Sequence, residues 1–143
     1  MTAEQRIRES FEKQAFMKLL GAELVHVATG EVDIALPFDA KLTQQHGFLH
    51  AGVTTSIADS ACGYAALSLM PEGAAVLSVE FKVNMLAPAQ GRRFLARGRV
   101  LRSGRNITVV KADVLAFDDK DDAKSVVEMQ GTMMTIRDRG IVG

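Results

Sequence analysis

One carboxylate stands apart in this sequence. Between Ala51 and Met70 there is no Lys, Arg or Glu, and Asp59 is the only charged residue. A carboxylate left unpaired among apolar neighbours costs several kcal/mol. Asp59 is therefore either hydrogen-bonded to nearby Ser or Thr, or a general base or nucleophile kept partly dry to tune its reactivity. Just upstream runs Gln44-Gln45-His46-Gly47-Phe48-Leu49-His50-Ala51-Gly52. His50, Ala51 and Gly52 fall where a helix begins, and the first backbone N–H groups of a helix lack partners. Such an end stabilises developing negative charge, as an oxyanion hole must. Gly52 lets a ligand come close to the backbone. The plainer reading is a glycine-containing loop with a capping histidine. His50 and Asp59 are nine residues apart, which is about 13 Å of helix rise. One chain cannot bring both to a single carbonyl. Two copies of the helix, antiparallel about a two-fold axis, can, so a functional reading implies a homodimer with two shared sites.

The elements that must position these groups follow from periodicity. Residues 5–20 carry Ile7, Phe11, Ala15 and Leu19 at four-residue spacing, which predicts one amphipathic helix. Residues 22–28 and 31–37 are two short strands around Thr29-Gly30, with Val32, Ile34 and Leu36 on one face. Residues 38–50 have no clear period. Residues 51–70 are small or apolar almost all round, which predicts a helix buried at the centre of a domain. Thr54, Thr55, Ser56, Ser60 and Ser68, with Gly52 and Gly63, argue against a bilayer span. Then come strands. Val79, Phe81, Val83 and Met85 alternate with polar residues until Pro88, residues 93–102 and 106–117 flank the turn Ser103-Gly104, and residues 124–136 form the last strand. The order predicts an α+β fold, one domain over residues 1–143, with a mostly antiparallel sheet wrapped around the long helix.

Composition removes several function classes. Of 143 residues, 17 are Lys or Arg and 17 are Asp or Glu, so the formal charge is zero, which argues against a dedicated nucleic-acid binder. A single Cys excludes an internal disulfide and leaves no Cys-based metal site. The charged N-terminus has no apolar signal core, so a cytoplasmic protein is the expectation.

Gly47-x-x-His50-Ala51-Gly52 followed by Asp59 resembles the HGG-x6-D signature of hotdog-fold acyl-CoA thioesterases, above all the phenylacetate-pathway (PaaI-type) branch. Residues 78–89, ending in Pro88-Ala89, are similar to a strand of that branch, and the order of elements matches over residues 20–137. The resemblance implies a hotdog fold and a dimer, in many members paired again into a tetramer. It implies an oxyanion contact from the Ala51 N–H, after the motif histidine His50. It makes Asp59 the general base or nucleophile, acting across the interface. Gln44 takes the place of an amide that holds water or the carbonyl, and Ser78 that of a serine orienting the aspartate. The sequence departs from the pattern in having Ala51 for the middle glycine and Gln44 for the usual asparagine. His46 is a further polar group beside the site. No metal or redox cofactor is implied, coenzyme A entering only as part of the substrate.

From Lys82 to Lys111 the charged residues Lys82, Arg92, Arg93, Arg97, Arg99, Arg102, Arg105 and Lys111 include no acid. They form either a solvated face balanced by Asp118–Asp122 or a phosphate-binding surface, with Arg102 and Arg105 the candidates for coenzyme A. Tyr64, Leu67, Met70, Phe81 and Met85 are candidates to line an acyl or aryl pocket, or simply the core. Two other functions fit the same fold. One is a non-catalytic acyl-CoA or fatty-acid binder; the other is a hydratase or dehydratase, whose differently placed acid–histidine motif is absent.

Overall fold

The computed structural model describes residues 1–143. Two short helices, α1 (Ala3–Lys13) and α2 (Ala15–Leu20), lead into the hairpin β1 (Glu23–Ala28) and β2 (Glu31–Pro37). Next come a single 3-10 turn at Ala40–Leu42 and the long helix α3 (Ala51–Leu67). Four long strands follow: β3 (Ala75–Met85), β4 (Arg93–Ser103), β5 (Ile107–Phe117) and β6 (Ala123–Ile136). All six strands join one antiparallel sheet in the order β1-β2-β4-β5-β6-β3. The sheet curls around α3, which touches β2 through β6, as the hotdog resemblance implies. No helix is long and apolar enough to cross a membrane.

Close helix–sheet packing sets the geometry. Ala58, Ala61, Cys62 and Ala65 are fully buried on the sheet side of α3. Opposite them is Gly98 on β4, where a Cβ would stand 2.4 Å from the Ala61 carbonyl carbon. Only small residues on both sides allow the helix backbone so near the strand. Val32, Ile34, Leu36, Phe94, Val110, Val114 and Met129 fill the remaining core.

Three expectations are corrected. The N-terminal helix is two helices, broken at Gln14, so the predicted stripe ends at Phe11, and Met17 and Leu20 are buried in place of Ala15 and Leu19. Helix α3 is not buried on every side, because Ser56, Asp59, Ser60 and Gly63 form a half-buried, open stripe. Strand β3 is an edge strand with little cover on either face. Val79, Phe81 and Met85 are 56%, 40% and 44% exposed, so Phe81 and Met85 are not packed in the core of the chain. A bulge between Ser78 and Glu80 shifts its alternation.

Candidate active site

The sequence-derived residues fall into three clusters within one chain. The first is on the open stripe of α3. The Ser78 hydroxyl donates to Asp59 Oδ1 at 2.6 Å, from β3 across to the helix. Ser78 reaches it because α3, which packs mainly on β4 and β2, also touches β3 at the other edge of the sheet. Oδ2 is left free to accept a proton or to attack. A cleft of about 250 Å³ opens here, lined by Asp59, Ser78, Gly63, Tyr64, Met133 and Gln14. Tyr64 is the one candidate pocket residue found in it. Leu67 and Met70 are buried in the core instead.

The second cluster is the loop before α3 and the helix N-terminus. Sequence periodicity is silent over residues 38–50 because this segment is held by specific hydrogen bonds. The Gln44 N–H donates to the Phe48 carbonyl at 2.9 Å, and the Gly47 N–H to the Gln44 carbonyl at 3.1 Å, with Gly47 at φ +85°. The Gln44 side-chain oxygen accepts from the backbone N–H groups of His46 (2.5 Å) and Phe48 (3.3 Å), so its carbonyl end is committed to the loop and only its NH₂ is free. Leu49 is buried and donates to the Ala89 carbonyl at 3.0 Å, anchoring the segment. His46 is exposed, and its imidazole makes no hydrogen bond within the chain.

His50 is the N-cap of α3, its Nδ1 accepting from the Gly52 N–H at 2.8 Å. With Nδ1 an acceptor, the proton of a neutral ring is on Nε2, free to donate. Gly52 makes room for this cap, since a Cβ there would lie 3.0 Å from His50 Nδ1. The space given by Gly52 is thus taken by the His50 ring, and its N–H is used. The exposed Ala51 N–H, by contrast, has no acceptor in the chain. Ala51 has helical backbone and no positive φ, so the glycine of the family signature is not required there.

The third cluster is the β4–β5 hairpin. Four of the eight cations in the acid-free run are neutralised from elsewhere in the chain. Arg97 makes two hydrogen bonds to Asp113 (2.8 and 2.6 Å), which hold its guanidinium still further above its ordinary pKa, and Arg99 meets Asp33 at 2.6 Å. Arg92 and Arg93 both pair with Asp121. The solvated-face reading is correct for these four, although Asp113 and Asp33 supply half of the balance. Arg102 and Arg105 remain without acidic partners at the hairpin tip. Arg137 and Arg139, which sequence reasoning missed, join Arg105 along a groove of about 720 Å³. Antiparallel pairing of β5 with β6 is what brings positions 105 and 137 together, the Arg137 side chain donating to the Arg105 carbonyl at 2.8 Å. Leu77 lines both this groove and the Asp59 cleft.

A curled antiparallel sheet around one helix, with a serine-held aspartate on the open face of that helix, defines a hotdog-fold protein. Residues 46–123 match the family model described as Thioesterase superfamily, and the chain belongs to that family. It is similar along 99% of its length, and of the other chain's, to the crystal structure of a thioesterase family protein from Silicibacter pomeroyi, at 47% identity and a TM-score of 0.92. The E. coli PaaI protein of the phenylacetic acid degradation operon shares the fold, with 22% identity, 94% and 93% coverage, and a TM-score of 0.82. The 1,4-dihydroxy-2-naphthoyl-CoA hydrolase of Listeria monocytogenes is 28% identical over 90 residues, 63% of this chain and 73% of that one.

Proposed function

We propose that this chain hydrolyses an acyl- or aryl-acyl-CoA thioester to the free acid and coenzyme A, as a homodimer with two shared sites. The observation that carries this reading is the Asp59 carboxylate, held through one oxygen by Ser78 and open at the other. Asp59 takes a proton from water as the water oxygen attacks the thioester carbonyl. The carbonyl oxygen gains negative charge against the Ala51 N–H, and the C–S bond breaks with release of thiolate. Direct attack by Asp59 Oδ2, followed by hydrolysis of the resulting anhydride, balances equally well. Neither route uses a metal or redox cofactor. Gln44 reaches the site through its free NH₂, His50 presents the Ala51 N–H by fixing the helix start, and His46 stays at the rim. Arg105 and Arg102, with Arg137 and Arg139, are placed to meet the phosphates of coenzyme A.

The need for a second copy follows from the clusters themselves. The cleft at Asp59 includes none of residues 44–52. The β3 edge, eleven residues long with exposed Val79, Phe81 and Met85, presents unpaired backbone groups beside apolar side chains, a surface suited to pairing with another strand. Two-fold pairing of β3 with its copy would set the open stripes of two α3 helices antiparallel.

The test is release of thiol from a panel of acyl-CoA thioesters, followed by complementation. Inactive His50→Ala and Asp59→Asn chains, mixed under subunit exchange, give heterodimers with one intact site. Random pairing restores about a quarter of wild-type activity. No recovery despite demonstrated exchange would put both groups in one chain. Binding of acyl-CoA without turnover by the unaltered protein would make it a binding protein instead.

A further inference from the structure

Gln14 breaks a helix that nothing local ends. Residues 3–20 contain neither Gly nor Pro, and Gln is a good helix former, yet α1 stops at Lys13 and α2 restarts at Ala15. The break has a tertiary reason. Gln14 Oε1 accepts from the Ser60 hydroxyl at 3.1 Å, and Gln14 Nε2 donates to the Tyr64 hydroxyl at 3.0 Å. Ser60 and Tyr64 are one turn apart on α3, immediately after Asp59, so the Gln14 side chain lies across the same stripe that carries the catalytic candidate. Ser10 fixes the arrangement from α1, bonding the Tyr64 hydroxyl at 3.3 Å and donating to the Gly143 carbonyl at 2.7 Å.

Gln14 and Tyr64 therefore line the same cleft as Asp59 and Ser78. Asp59 and Ser78 stand at the reacting end, and Val76, Leu77 and Met133 supply apolar walls. Gly63 adds no side chain, and Gln14 and Tyr64 complete the lining. Within one chain the volume of the cleft is about 250 Å³. We infer that Gln14 is a specificity-determining residue, its side chain stopping the acyl end of the cleft so that short acyl groups are accepted and long ones refused. This rests on the thioesterase reading for the identity of the ligand. The closure itself is the bulk of the Gln14 side chain, which lies across the stripe of α3 between Ser60 and Tyr64.

Each further methylene buried in an apolar pocket changes affinity about fourfold. Truncating Gln14 to Ala removes four heavy atoms, room for about two methylenes. The experiment measures kcat/KM for a saturated acyl-CoA series from acetyl to decanoyl with the unaltered protein, Gln14→Asn and Gln14→Ala. The long-to-short ratio is expected to rise about tenfold or more for Gln14→Ala and by an intermediate amount for Gln14→Asn. Gln14→Leu, which keeps the volume and drops the hydrogen bonds, should retain the short-chain profile. A uniform fall across chain lengths in the Asn and Ala variants, or a Leu profile that shifts as far as the Ala one, overturns the inference. If the unaltered protein turns over no acyl-CoA, the thioesterase reading fails by itself. Calorimetric titration with the corresponding free carboxylic acids then decides on Gln14 by the same length ratio.

Discussion

The two faces of α3 are built from similar small residues and do opposite things. The sheet-facing side places Ala58, Ala61, Cys62 and Ala65 in complete burial against Gly98. The open side places Ser56, Asp59, Ser60 and Gly63 half out of the chain. On the first face smallness lets backbones approach, and every added atom meets something. On the second it leaves space, and two of the polar groups there have partners from distant elements: Asp59 has Ser78 from β3, and Ser60 has Gln14 from the α1–α2 junction. A helix with no marked amphipathic period therefore still has a structural side and a chemical side. The sheet it lies on selects which is which.

Substitutions on the two faces should separate stability from activity. The largest effect is expected from Asp59→Asn on the open face. Turnover should fall about 10²-fold or more, the usual size for loss of a general base, while the melting temperature stays near that of the unaltered protein. Near-normal turnover would remove Asp59 from the chemistry. On the closed face, Gly98→Ala puts a Cβ 2.4 Å from the Ala61 carbonyl carbon, so helix or strand must move. A loss of about 3 kcal/mol or more in denaturant unfolding is expected. A loss under about 0.5 kcal/mol would mean that α3 rides loosely on β4.

Smaller effects sharpen the division. Ser78→Ala removes the hydrogen bond that fixes Asp59 and should lower kcat about tenfold, the net worth of one such bond, with KM little changed. If KM moves and kcat does not, Ser78 contacts substrate instead of orienting the carboxylate. The last effect is one of pH, at Cys62. Burial, and then the negative charge of Asp59, push its thiol from the ordinary 9.0 up to about 12. The folded state thus keeps a proton that the unfolded chain gives up. That contribution is complete below about pH 9 and is lost as pH rises toward 12. The stability difference between the unaltered protein and Cys62→Ala should therefore shrink between pH 8 and pH 11. Parallel pH curves would show that the thiol ionises with equal ease in both states.

Much of the arrangement was legible beforehand because it depends on local patterns. The β1–β2 hairpin, the start of α3 at His50 and the β4–β5 turn lie where alternation, a capping residue and Ser103-Gly104 put them. The Asp59–Ser78 pair was legible only through the family resemblance, since no spacing rule joins residues nineteen apart on a helix and a strand. The break at Gln14 was not legible, because its partners Ser60 and Tyr64 are 46 and 50 residues away and the local sequence favours continuing the helix.

By itself, the sequence determined the six strands, the long helix with its open start, and the nine-residue separation that keeps His50 and Asp59 apart within one chain. These depend on backbone propensity and on fixed helix rise, which no packing alters. Only the tertiary structure decided which side of α3 is chemical and which arginines are free. Arg97 and Arg99 lose their availability to Asp113 and Asp33, and Arg105 gains Arg137 and Arg139 as neighbours, through antiparallel strand pairing. Charge pairing across a sheet depends on register, and register is set where strands from distant parts of the chain meet.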